Sequence, residues 1–168
     1  AAVSSFHGFS APAFTSFAPI LSGGKPTPFW PAIPLIIACG SLPGFEKVWT
    51  VGIRHPRESG LLDTVRVLQG AVATSGDYEC FFIDSAGRRL SHIMDPSTGY
   101  PAHGAISASV LSRSCLVADA VATALVIGGC DLADSLPEGL TRAILIVEGD
   151  EDGLRIGRRG EWRESPNG

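Results

Sequence analysis

Residues 92–101, HIMDPSTGYP, put a histidine directly before a rigid turn. The proline after Asp95 forces Asp95 into an extended or turn conformation. Thr98-Gly99 marks a second turn. A turn of this kind can fix His92 at a strand end and aim it into a cleft. Histidine is also the side chain best suited to proton transfer near neutral pH. The same spacing would serve a histidine that only makes a structural hydrogen bond, and the residues alone leave both roles open.

A second constellation lies at 118–123, ADAVAT, within an apolar helical pattern that includes Leu116, Val117, Val121, Leu125 and Val126. A carboxylate in such a setting is costly unless it is paired or bound to a cation. Asp119 and Thr123 are four residues apart, so they share one helix face. A carboxylate and a hydroxyl on one face form a hard-oxygen pair suited to Mg²⁺. The alanines at 118, 120, 122 and 124 leave room for close backbone approach. An arginine or backbone amides are the alternative partners for Asp119.

The remaining signals are plainer. Residues 73–79, ATSGDYE, place hydroxyls beside a glycine, which suits a phosphate or metal site and equally suits a common turn. Gly128-Gly129 is explained as a helix stop. The four arginines of 155–163 read as a solvated hairpin face. Cysteines at 39, 80, 115 and 130 show neither a CxxC pair nor a zinc spacing, and read as buried free thiols. No P-loop, dinucleotide fingerprint, nucleophile elbow or HExxH motif is present.

The elements that must position these residues follow from pattern. Strands are expected at 48–53, 78–84, 88–94, 105–111 and 143–147, with 62–68 either strand or turn. Residues 71–74 lead into a turn at 75–77, and Ala86-Gly87 turns a hairpin. Ser114 caps a helix running to Ile127, and 131–136 forms a short second helix. Residues 154–156 and Trp162 return as a hairpin. Strands joined by short turns, with few helices, predict an α+β fold with a mainly antiparallel sheet and one buried Ala-rich helix.

The chain has 168 residues, with 13 Lys and Arg against 17 Asp and Glu, a net charge of −4 that argues against general nucleic-acid binding. The charged residues are unevenly spread: residues 1–45 contain only Lys25. The same stretch holds seven of the 12 prolines, which interrupt regular structure. Residues 1–46 therefore read as an atypical low-charge, Pro- and aromatic-rich leader, and 47–168 as the folded domain. The leader fits an extended arm, a sticky disordered segment or the product of a shifted reading frame. Its longest apolar run, 32–39, is too short to span a bilayer, and its start carries no basic residue of a secretory signal.

Taken together, four segments in order resemble the ApbE family, the FAD:protein FMN transferases once described as thiamine biosynthesis lipoproteins. They are 49–56 (WTVGIRHP), 73–79 (ATSGDYE), 92–101 (HIMDPSTGYP) and 118–128 (ADAVATALVIG), and the resemblance covers about residues 48–150. It implies an ApbE-like, T-fold-related architecture with an incomplete N-terminal half. It implies FAD as substrate, Mg²⁺ as the metal, and transfer of FMN to a Thr or Ser hydroxyl of an acceptor protein with release of AMP. By the same resemblance His92 is the general base, Ile93 touches the flavin nucleotide, and Asp119 and Thr123 hold the metal. A bacterial envelope location is implied as well. The family's DxGGxxKG-like segment and its GGD-type turn are not found, and Ser97 stands where the family commonly has Arg. Two other readings stand beside it: an inactive or partial flavin- or metal-binding fragment, and an FAD pyrophosphate hydrolase, since the same metal and phosphate geometry would allow attack by water.

Overall fold

The computed structural model describes residues 35–39, 49–78, 80–150 and 153–162. Among these, strands β1 (Leu35–Cys39), β4 (Gly70–Gly76), β7 (Ser107–Ser112), β8 (Ala143–Asp150) and β9 (Gly153–Gly160) form a five-stranded sheet. Its order is β1-β4-β7-β8-β9 and every neighbouring pair is antiparallel. Strands β2 (Trp49–Arg54) and β3 (Leu61–Val67) form one hairpin, and β5 (Phe81–Ile83) and β6 (Arg89–Ser91) a smaller one. The one described helix, α1, is Cys115–Ser135. The α+β class and mainly antiparallel sheet are as the sequence predicts. Strand β1 falls within residues 1–46; the rest of that leader lies outside the described residues.

Alternation along the strands divides the core in two. Ala71, Ala73, Ala108, Val110, Ile144 and Ile146 face α1 and pack on Ala118, Val121, Ala122, Leu125 and Val126. The intervening residues, Val72, Leu111, Leu145 and Val147, face the β2–β3 hairpin and pack on Val51, Ile53, Val65 and Val67. Trp162, just past β9, closes this second core. An ion pair from Arg158 Nη2 to Asp63 Oδ2, 3.1 Å, ties β9 to β3.

Local differences from the sequence expectation have physical causes. The segment expected at 62–68 as strand or turn is a strand, at Leu61–Val67. Strand β4 runs on through Ser75 and Gly76, because both pair with β7, opposite Ala108 and Ser107. The strand expected at 78–84 shortens to the three residues that find partners in β6. The helix is interrupted at Gly129, where φ is 58° and ψ −152°, but resumes at once and runs to Ser135. The break is supported from outside. The Val126 carbonyl accepts from the Ala105 amide at 2.9 Å, and Glu148 Oε1 accepts from the Cys130 amide at 2.9 Å. Gly104 lies so close to the helix that a Cβ there would be 2.2 Å from the Ile127 carbonyl oxygen. Helix α1 is long and apolar enough to cross a membrane by length and composition. One side of it, with Ala118, Val121, Ala122, Leu125 and Val126, is buried in the helix-facing core. Cys80, Cys115 and Cys130 are free and half-buried rather than buried.

Candidate functional site

Ser114 caps α1 by accepting from the Val117 amide, which starts the helix one turn before Asp119. Ala118 and Ala122, both fully buried, let the helix lie close on Ala71 and Ala73 of β4. That closeness brings the next helix-facing residue of β4, Ser75, against Thr123, with their hydroxyl oxygens 3.1 Å apart. Asp119 lies one turn earlier on the same helix face. Its Oδ1 is buried and has no hydrogen-bond partner. Neither an arginine nor a backbone amide satisfies that oxygen, so the alternative that the sequence left open is not realised there. A buried, unpaired carboxylate oxygen is costly on its own. Beside hydroxyls it fits a hard divalent cation such as Mg²⁺. Among the described residues no group of three or more His, Cys, Asp or Glu side chains is placed to hold a metal. The oxygens this helix face offers are the unpartnered Asp119 Oδ1 and the Thr123 hydroxyl, the latter beside Ser75.

His92 follows directly on β6 and is exposed. Its Nδ1 lies 2.8 Å from the Cys80 carbonyl oxygen. A carbonyl only accepts, so Nδ1 carries the proton in this bond. The neutral ring then has its lone pair on Nε2, available to take a proton from outside. The turn behind it is closely bonded. Asp95 donates its amide to the Tyr100 carbonyl at 2.8 Å and accepts from the Gly99 amide at 2.8 Å. Gly99 supplies the left-handed φ of 71° that this turn requires. Ser97 gives its hydroxyl to Asp95 Oδ1 at 2.7 Å and its amide to the same oxygen at 2.8 Å. The Ser97 hydroxyl, then its amide, hold the Asp95 carboxyl below the ordinary carboxylate range.

Ile93 links the two parts. It is half-buried and packs against the helix-facing core, while its carbonyl accepts from the Ala102 amide at 2.8 Å. The chain then passes Gly104 to Ala105, whose amide bonds the helix at Val126. The histidine turn and the helix are thus tied through Ile93 and 102–105. Asp119 and Thr123 share one helix face and Thr123 meets Ser75, while His92 follows the end of β6.

Two features had no sequence signal of their own. The Cys80 carbonyl is a backbone group, invisible in residue types. Arg57, from the β2–β3 connection, forks onto Asp77 with contacts of 2.6 and 2.7 Å. Asp77 follows β4 directly and read as a turn residue; its acidity opposite an arginine two strands away could have been noticed only with the fold in hand. Within the same connection, His55 Nδ1 accepts from the Arg57 and Glu58 amides, so this histidine is spent on loop geometry.

Comparison with known proteins identifies the family. The ApbE family's model matches residues 35–144. The FAD:protein FMN transferase of Rhodobacter capsulatus is 48% identical over 85 residues, which are 50% of this chain and 16% of the relative. That of Escherichia coli K12 is 35% identical over 107 residues, 61% of this chain and 30% of the relative. Among solved structures, the ApbE protein of Thermotoga maritima matches with a TM-score of 0.57 and 37% identity, covering 71% of this chain and 38% of that one. The flavin transferase ApbE of Vibrio cholerae matches with 0.53 and 30%, covering 68% and 36%. The chain spans less than two fifths of the length of each of these proteins. Over the greater part of its own length, this chain belongs to the ApbE family.

Proposed function

We propose that this chain carries the metal- and acceptor-facing part of an FAD:protein FMN transferase. The relatives' shared name supports flavin transfer to a protein. The observation that carries the reading within this chain is the orphaned Oδ1 of Asp119 on the helix face it shares with Thr123. Asp119 and Thr123 would hold Mg²⁺, which when bound would offset charge on the FAD pyrophosphate. Ile93, at the edge of the helix-facing core, would meet the flavin nucleotide. His92 Nε2 would take the proton of an acceptor Thr or Ser hydroxyl. That oxygen would form a bond to the FMN phosphorus as the pyrophosphate link breaks and AMP leaves. A bacterial envelope location belongs to the same proposal.

The unpartnered Asp119 oxygen on the face of Thr123 also fits a second reading, a partial flavin- or metal-binding module. One incubation distinguishes the outcomes. The chain is mixed with FAD, Mg²⁺ and a peptide bearing an acceptor threonine, and the products are separated by mass. Covalent FMN on the peptide, lost in His92→Ala, supports transfer. Free FMN and AMP without an adduct would identify a hydrolase. FAD left intact would leave the partial module.

A further inference from the structure

Thr123 has an unusual hydroxyl partner for a helical threonine. Inside a helix, threonine commonly gives its proton to the carbonyl three or four residues back. Here the Ser75 hydroxyl, from another element, lies 3.1 Å away, and Ser75 is only 5% exposed. Either hydroxyl can donate in this pair. A bound cation removes that freedom. A threonine oxygen that offers lone pairs to a metal must place its proton elsewhere, and Ser75 Oγ, 3.1 Å away, is placed to accept it.

We propose that Ser75 is a positioning residue for the cation: it takes the Thr123 proton and leaves the Thr123 lone pairs free on the face shared with Asp119. Partners behind metal ligands commonly fix ligand orientation in this way. The proposal rests on the reading of Asp119 and Thr123 as cation ligands, and adds a residue behind them.

The end of β4 is built to keep Ser75 in place. Ser75 and Gly76 sit in register opposite Ala108 and Ser107 of β7. A Cβ on Gly76 would be 2.9 Å from the Ile106 carbonyl oxygen, and the Asp77 amide donates to that same oxygen at 3.0 Å. The Arg57 fork then holds the Asp77 side chain, which is largely buried. Three fixed points therefore lie within two residues of Ser75.

The test is titration of the whole 168-residue chain with Mn²⁺ alone, followed by the metal's paramagnetic signal, alongside thermal unfolding without metal. Ser75→Ala should weaken Mn²⁺ binding by about 10-fold or more. Its metal-free unfolding midpoint should fall only slightly, as the loss of one hydrogen bond requires, whereas a merely structural serine would lower the midpoint without changing the affinity measured on folded protein. Ser75→Thr, which keeps a hydroxyl, should retain the parent affinity. Parent affinity in Ser75→Ala, with binding lost in Asp119→Asn, overturns the role of Ser75 and leaves the ligand reading standing. Parent affinity in Asp119→Asn, or no Mn²⁺ binding by the parent chain, overturns the ligand reading and this inference together.

Discussion

The two faces of the five-stranded sheet are made by alternate residues of the same strands, yet they differ in kind. The hairpin-facing side is large and largely aliphatic: Val72, Leu111, Leu145 and Val147 meet Val51, Ile53, Val65 and Val67, with Trp162 over them. The helix-facing side is lined with alanines at 71, 73, 108, 118 and 122. It also carries the Ser75–Thr123 hydroxyl pair and the unpaired oxygen of Asp119. Large side chains bury more apolar area and so supply more stability per residue. Small ones let a helix approach closely enough to bring polar atoms from two elements together. One face chiefly holds the fold, and the other gives up some apolar burial to assemble oxygen atoms.

Substitutions on the two faces should therefore separate stability from binding. Leu145→Ala, at a fully buried site, should cost about 2–5 kcal/mol in denaturant unfolding. Its Mn²⁺ affinity, measured on folded protein, should be unchanged. Gly104→Ala should cost ~1–3 kcal/mol, because backbone must move away from the new Cβ. Asp119→Asn should act in the opposite sense. Without divalent cations its stability should equal the parent's, since the Asp119 Oδ1 has no hydrogen-bond partner to lose.

The smallest effect lies at the turn after His92. The folded Asp95 carboxyl titrates below its ordinary value, so its stabilising contribution is present above the unfolded value and is lost as pH falls through the folded one. Carboxyl resonances followed by NMR should show Asp95 ionised below the usual carboxylate range. Ser97→Ala should move that midpoint up, because the Ser97 hydroxyl is the largest cause of the shift.

The face difference explains what could be read from residues alone. Asp119 and Thr123 were legible because helical spacing is local: four residues place both on one face. The alternating strands and the Gly128-Gly129 interruption were legible for the same reason. Ser75 was visible only as a hydroxyl beside a glycine. Its partnership with Thr123 depends on β4 continuing past residue 74, and Ser-Gly-Asp composition favours a turn there. Pairing with β7 overrode that preference, as neighbouring strands often do. The Arg57–Asp77 fork joins residues 20 apart across two sheets, and the bond that sets the His92 tautomer comes from a backbone carbonyl. Neither has a periodic signature. Ile93 was named only through family resemblance; the structure adds that it packs where the histidine turn meets the helix-facing core.

One experiment addresses both faces together. Thermal unfolding of the parent, Asp119→Asn and Leu145→Ala chains is recorded with and without Mg²⁺. At a concentration 100 times the dissociation constant, a cation bound only to the folded state adds about 2.7 kcal/mol of stability. The parent midpoint should rise with Mg²⁺. Leu145→Ala should start lower and rise by a comparable increment, and Asp119→Asn should not respond. A parent chain whose midpoint is the same with and without Mg²⁺, or an Asp119→Asn chain that responds as the parent does, would contradict a cation site on the helix-facing side of the sheet.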